Sequence, residues 1–446
     1  MRRLMVGTWI VLLPLAAVGQ VPVTGVEGAT LADIVGTETL VTVVLSRPGA
    51  EDSNLTIVDV HENYITVVSA SGEENYYRFV DIKEIRVQGG LVEAKALRPR
   101  KDMMLTGQQQ QALGRAVQRA QEIFQSSNDN QPFKMAAAVV MIVAGGDEAA
   151  QAAREYLASL AESNDIRVGI DAGLRLYLAG EPLPVDMIED GLQSGTPRVR
   201  SQATFMAGLV GDHESEPMLY KMLQDRAAEF SAPAARALSI LGNRDAIPEL
   251  LAMLVERNER KSSAAVFGLS LLGGDDVIEQ LKLMLNSSEG LARFRVAKVL
   301  YTLGEPSARR LLREEIILEP ALQVEAAALL ARDGDIKAMQ TLRERLERKF
   351  EPTEENLLWR ADAIAALVAA NDRTMLGPLM DLRRAEFPAV KARVYDLVAE
   401  LGQRSFIVVI QPGIEESDLA IALKACETVV ALTDSAYRER LLLNLR

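Results

Sequence analysis

Between Val199 and Gly304 the chain repeats one pattern at a fixed step of 31 residues. Glycines fall at Gly211, Gly242, Gly273 and Gly304. Four apolar or small columns precede them: Ala203, Ala234, Ala265, Val296; Met206, Ala237, Gly268, Val299; Ala207, Leu238, Leu269, Leu300; and Val210, Leu241, Leu272, Leu303. Within each repeat these positions are spaced i, i+3, i+4, i+7, which is one face of an α-helix. A second stripe follows the glycine, as in Ile247, Leu250, Leu251 and Leu254. Pro217 and Pro248 sit in its first turn, where amides lack intrahelical partners. One pair of short helices cannot bury two such faces alone, so neighbours must stack. The pattern predicts a mainly α chain built as an α-α superhelix.

The pairing extends in both directions from this register. About ten helix pairs are expected over residues 106–446, at 106–145, 147–179, 182–211, 214–242, 245–273, 275–304, 305–334, 335–371, 373–402 and 404–433. A final helix, Ala436–Leu445, is expected as a C-terminal cap. The outer pairs depart from the consensus, as expected of ends that turn a polar face to water, and Lys349–Glu355 interrupts the register.

Ahead of the array the period changes to that of strands. Leu40–Leu45, Leu55–Val60, Tyr64–Ser69, Asn75–Val80 and Ile82–Val87 are short and rich in β-branched or aromatic residues, with turn residues between them. They predict a small five-stranded β-barrel within residues 20–90, with a helical turn at Ala29–Gly36 before its strands. Residues 91–105, with Arg98, Arg100 and Lys101 around Pro99, are expected to be a linker. Residues 1–19 carry Arg2 and Arg3, an apolar run from Leu4 to Val18, and a small-residue site before Gln20. This is the pattern of a signal peptide, cleaved near Gly19-Gln20 or retained as an anchor. It predicts export, with the periplasm or cell envelope of a bacterium as destination. No later segment is long and apolar enough to span a membrane.

Composition narrows the chemistry. The net charge of -13 argues against general nucleic-acid binding, which needs clustered Lys and Arg. One cysteine and two histidines leave no disulfide framework and no Cys- or His-rich metal site. Gly-rich phosphate loops and nucleophile elbows are absent from the sequence. No catalytic residue, metal or cofactor is therefore assigned.

The L-G-[DN] turn and pair length resemble HEAT repeats, especially the short bacterial type also found in bilin lyases. That resemblance implies a non-catalytic scaffold whose B helices, the second of each pair, line a concave face for a protein partner. The strand region resembles the Sm-like fold in its V-x-V-x-L, N-Y-I-x-V and Y-R-F-V-D-I segments, with an SH3-like barrel as the alternative. Where the RNA-chaperone branch of that fold carries Tyr-Lys-His, this chain has Tyr77-Arg78-Phe79, and the loop glycine is Asn54. The resemblance implies a docking or oligomerisation module.

The B helices open with basic residues: Arg167, Arg198, Arg200, Arg260, Lys261, Arg293, Arg295, Arg360, Lys391 and Arg393. They form either a stripe for an acidic partner or bonds to turn carboxylates such as Asp212, Asp245 and Asp275. Steps of 31 from Arg198 reach Glu229, Arg260 and Leu291, so no continuous basic column exists. Trp359 beside Arg360 is either a contact residue or a core plug. The leading expectation is an exported protein-binding scaffold. Polyanion binding through the barrel and these basic residues is the alternative, and a bilin-lyase-like chaperone or enzyme the distant one.

Overall fold

The structure, a computed structural model, describes residues 23–24, 34, 40–45, 51–60, 64–69, 74–78, 82–88, 105–126, 130–183, 186–318, 322–349 and 351–445. It divides into two compact units, Met1–Met104 and Leu105–Arg446. The expected signal segment lies outside the described residues, as does all of the expected linker except Leu105.

The first unit holds strands β1 (Val23–Thr24), β2 (Leu40–Leu45), β3 (Glu51–Val60), β4 (Tyr64–Ser69), β5 (Glu74–Arg78) and β6 (Ile82–Val87). Their order is β1-β6-β2-β3-β4-β5, antiparallel except for β1 beside β6. Alternation places Val41, Val43, Ile57, Ile65, Val67 and Ile85 in one core, with Ile34 packed among them. The expected closed, five-stranded barrel is corrected on two counts. A sixth strand, β1, is present, and the sheet is open. Strand β6 is paired on both sides, by β2 and β1, so β5 finds no edge of it on which to close. Asn54 takes a left-handed φ of 59°, the conformation a glycine supplies freely. The β2–β3 register shifts beside it, from Val41 opposite Leu55 to Val43 opposite Asp52, which is a bulge.

The second unit is helical throughout. The first five pairs are α1 (Gly107–Ser126) with α2 (Gln131–Ala144), α3 (Asp147–Ala161) with α4 (Ile166–Ala179), α5 (Asp186–Gln193) with α6 (Pro197–Val210), α7 (Glu216–Leu223) with α8 (Ala228–Ile240), and α9 (Ile247–Leu254) with α10 (Glu259–Leu272). The remaining pairs are α11 (Asp275–Ser287) with α12 (Gly290–Thr302), α13 (Pro306–Leu318) with α14 (Gln323–Arg332), α15 (Ile336–Glu347) with α16 (Glu354–Ala369), α17 (Leu376–Asp381) with α18 (Pro388–Leu401), and α19 (Phe406–Ile410) with α20 (Leu419–Thr433). Helix α21 (Ser435–Leu445) follows. The expected number of pairs is present.

The glycine column ends the B helices. Gly180, Gly211, Gly242, Gly304, Gly334 and Gly402 all have positive φ, and Asn371 fills the same place at φ 67°. After six of these seven turns, all but that at Gly402, the next residue donates back over five positions: Glu181 to Leu176, Asp212 to Ala207, Asn243 to Leu238, Glu305 to Leu300, Asp335 to Leu330 and Asp372 to Leu367. These bonds satisfy carbonyls that the helix end would leave orphaned. Between pairs, small residues bring B helices together: a Cβ on Gly208 would meet the Ala237 Cα at 2.5 Å.

Successive B helices pack on one another, α6 on α8, α8 on α10, α16 on α18 and α18 on α20, which makes them the inner layer of the curve. The curve then closes. Helix α20 packs against α1 and α2, and α19 packs against α1, so the tenth pair is a neighbour of the first. This corrects the expectation of polar outer faces on the terminal pairs. Met135–Ile142 of α2 are all buried, and so is every residue of α20 from Ile421 to Thr433 except Lys424. An apolar run on nearly every side, as in α2, marks a helix covered on nearly every side, and α20 buries Glu427 and Thr428 as well. Helix α21 is a bridge and not a cap at an open end, since it packs on α4, α18 and α20.

Candidate functional site

The turn carboxylates after the B helices receive basic residues from A helices, the first of each pair. Arg154 of α3 bonds Glu181 at 2.6 Å, Lys282 of α11 bonds Glu305 at 2.6 Å, Arg313 of α13 bonds Asp335 at 2.8 Å, and Arg343 of α15 bonds Asp372 at 2.6 Å. Burial works against the charge of Asp335. The Ala338 amide and the Arg313 guanidinium outweigh it and hold the carboxyl below its ordinary range. Asp372 is lowered in the same way, with Thr374 and Arg343 overcoming its burial. Each bond ties an A helix to the turn that leads into the next pair.

The B-helix basic residues therefore find other partners. Arg200 donates to the Ser194 carbonyl at 2.9 and 2.6 Å, and its guanidinium lies 5.1 Å from the Phe230 ring centre. Arg295 is only 5% exposed. It donates to the Glu256 carbonyl at 2.8 Å and to Glu259 at 2.5 Å, both in the preceding pair. Lys261 is buried, 3.4 Å from Glu256. Arg360 donates to the Leu346 carbonyl at 2.9 Å, and Lys391 lies 3.7 Å from Glu416. Arg393 bonds Asp362 at 2.7 Å and Glu400 at 2.8 Å; burial opposes its charge, but the two carboxylates raise its pKa. Arg167 lies 3.6 Å from Asp165, and Arg293 is half-buried on α12. Arg198 and Arg260 stand exposed at the starts of α6 and α10, and among the described residues neither forms an ion pair.

Polar contacts also cross between neighbouring B helices. Gln202 of α6 donates to Asp171 of α4 at 2.8 Å, Lys298 of α12 reaches Glu325 of α14 at 2.6 Å, and Lys424 of α20 reaches Asp396 of α18 at 2.5 Å. Arg175 of α4, in the second pair, and Glu427 of α20, in the tenth, approach to 3.6 Å where the curve closes. The inner layer is thus an interlocked polar surface, with most of its cations engaged by this chain's own carboxylates and carbonyls.

Trp359 is half-buried against the core of the helical unit. Cys426 is fully buried, and burial, aided by Glu427, pushes its thiol up to about 12. His213 is exposed and bonded to Glu216. Among the described residues no group of three or more His, Cys, Asp or Glu is placed to hold a metal ion. No helix among them is long and apolar enough to cross a membrane.

Several large apolar side chains are exposed. Leu283 on α11 is 72% exposed and Ile336 at the start of α15 is 79% exposed, with Val255 and Leu291 also open to solvent. The first two were detectable, because Leu283 falls off the Val277–Leu281 stripe and Ile336 off the Ala338–Leu342–Leu346 stripe. Ile336 lines a shallow pocket with Arg309, Arg313, Asp333 and Lys337.

Residues 185–266 match the family model for HEAT repeats, and the helical unit that contains them is a HEAT-like solenoid. HEAT repeats of this kind suggest a protein-interaction scaffold. No curated protein matches the chain. Similar solved structures include the complex of CpcE and CpcF of phycocyanin lyase from Nostoc sp. PCC7120, at 20% identity and a TM-score of 0.33 over 55% of this chain and 94% of that one. Human deoxyhypusine hydroxylase in complex with glycerol is similar at 15% identity and a TM-score of 0.27, over 66% of this chain and 97% of that one. An engineered protein is similar at 17% identity and a TM-score of 0.27, over 72% of this chain and 99% of that one.

Proposed function

We propose that this chain is an exported, non-catalytic scaffold that holds a protein partner on its helical array, with the N-terminal sheet as a docking or oligomerisation module. The observation that carries the proposal is the exposure of Leu283 and Ile336, off the buried stripes of a HEAT-like array. Holding large apolar side chains open to water costs free energy that a partner covering them recovers. Arg198 and Arg260, exposed and without an ion pair among the described residues, add guanidiniums of the kind that recognise carboxylates on a partner. The engaged state of the inner-layer cations favours this reading over polyanion binding, which needs many cations free to meet phosphates.

The test is capture of partners from an envelope extract by the full chain, compared with a Leu283→Asp/Ile336→Asp variant that melts at the same temperature. Loss of the captured protein in the variant is expected, and equal capture refutes the proposed surface. Fractionation tests export separately: a full-length chain retaining residues 1–19 in the cytoplasm removes that part of the proposal. RNA binding at moderate salt as tight as the protein binding would instead favour the polyanion reading.

A further inference from the structure

We propose that α21 is a strap that holds the helical ring shut, and that its release opens the seam between the tenth pair and the first. Every other junction joins pairs that are consecutive in the chain. The seam joins pairs that are not, so noncovalent contacts alone set its closure. Among the described residues those contacts include α19 on α1, α20 on α1 and α2, Arg115 to Glu415 at 2.8 Å, Gln109 to the Arg404 carbonyl at 3.2 Å, and Arg175 to Glu427 at 3.6 Å. Helix α21 joins the second pair, which Arg175 also meets, to the ninth. Arg438 donates to the Gly402 carbonyl at the end of α18, at 3.3 Å, and Arg440 donates to the Leu178 carbonyl in the last turn of α4, at 2.9 Å.

Both guanidiniums therefore meet the negative ends of B helices, where carbonyls lack helical partners. Beside them in the first turn of α21, Tyr437 is fully buried, and its hydroxyl has no hydrogen-bond partner among the described residues. Detachment returns that hydroxyl to water, which offsets part of the burial lost. A strap anchored by two arginines, with a buried hydroxyl in its first turn that finds no partner among the described residues, is built to be displaced as a unit.

The chain carries its own reporter. Cys426, its single cysteine, is fully buried on α20, within electrostatic reach of Arg115 and Arg119 of α1. Labelling of this thiol by a reactive dye in the native full chain measures opening of the seam. Arg440→Ala is expected to raise the labelling rate at least about tenfold, since it removes a hydrogen bond made by a charged group. It is also expected to raise amide exchange in 107–126 and 166–179, at the far end of the sequence. Leu269→Ala, buried in the middle of the array, weakens the unit without the strap and is expected to leave labelling within about twofold of wild type, because distant sites act independently. The proposal is overturned by an unchanged labelling rate in Arg440→Ala, by added exchange confined to 419–445, or by equal acceleration in Leu269→Ala. Should Arg440→Ala not fold, the wild-type chain decides. Labelling that depends weakly on urea marks local opening, and the same dependence as global unfolding refutes it.

Discussion

Arg440 Nε donates to the carbonyl of Leu178, a residue 262 positions earlier in the chain. In a linear array each pair touches only its neighbours in sequence, and stability is a sum of local terms. This bond, with the packing of α20 on α1 and α2, adds a term that couples the two ends. It also explains why QPFKMAAAVVMIVA and LAIALKACETVVALT have no polar face to spare: each is covered by its own pair and by the pair across the seam.

Two glycines separate the backbone role of the repeat from its packing role. Gly242 has φ 73° and open space where a Cβ would stand, so Gly242→Ala is expected to cost about 1–2 kcal/mol through the left-handed conformation alone. Gly208→Ala places a methyl against the Ala237 Cα and must push α6 from α8, which is expected to cost about 1–3 kcal/mol or more. Urea midpoints of the two variants check the order. A smaller loss for Gly208→Ala would mean that the inner layer is looser than its geometry.

The Arg313–Asp335 bond makes a pH-dependent contribution of known sign. The folded carboxyl titrates below its ordinary 3.8, so its contribution is present above that value and is lost as pH falls through the folded pKa. Asp335→Asn keeps an acceptor for the Ala338 amide but loses the charge, and is expected to cost about 1–3 kcal/mol at pH 7. Denaturant midpoints measured from pH 7 to pH 3 are expected to converge for the two proteins. A gap that stays constant would place the effect in packing.

Much of the array was legible because its columns encode burial directly. Gly211, Gly242 and Gly304 announce the helix ends, and the same left-handed turn continues at Gly180, Gly334, Asn371 and Gly402 where the surrounding columns have decayed. Periodicity shows that α2 and α20 are buried, yet a one-dimensional pattern cannot say against what. The same limit applies to polar partners. Arg295 reaches back 39 residues to Glu256, while the A-helix residues Arg154, Lys282, Arg313 and Arg343 hold no fixed column, so their shared task emerges only in three dimensions. Strand β1 escaped notice because two residues carry no alternation, and it is β1 that helps keep the sheet open.

Cys426 offers a pH dependence of opposite direction. Burial holds the thiol neutral up to about 12, whereas an unfolded chain releases the proton from about 9. Above pH 9 the unfolded state binds fewer protons, so stability falls as pH rises toward the folded value. Urea midpoints between pH 8 and pH 10.5 are expected to drop more steeply for wild type than for Cys426→Ala. Parallel curves would show that the thiol is accessible in the folded state.

The B-helix arginines, which share one sequence signature, are expected to split into two classes on mutation. Arg295 uses both arms of its guanidinium, one on the Glu256 carbonyl and one on Glu259, and is nearly buried while doing so. Removing it leaves that carbonyl and carboxylate without their donor, an expected loss of about 1.5–3 kcal/mol. Lysine cannot present two forked donors, so Arg295→Lys is expected to recover little of it. Arg198→Ala, at an exposed position without an ion pair among the described residues, is expected to change stability by less than about 0.5 kcal/mol. Thermal melts of the three variants check the division. If Arg198→Ala destabilises as much as Arg295→Ala, the exposed rim is structural and cannot serve as a free contact surface for a partner.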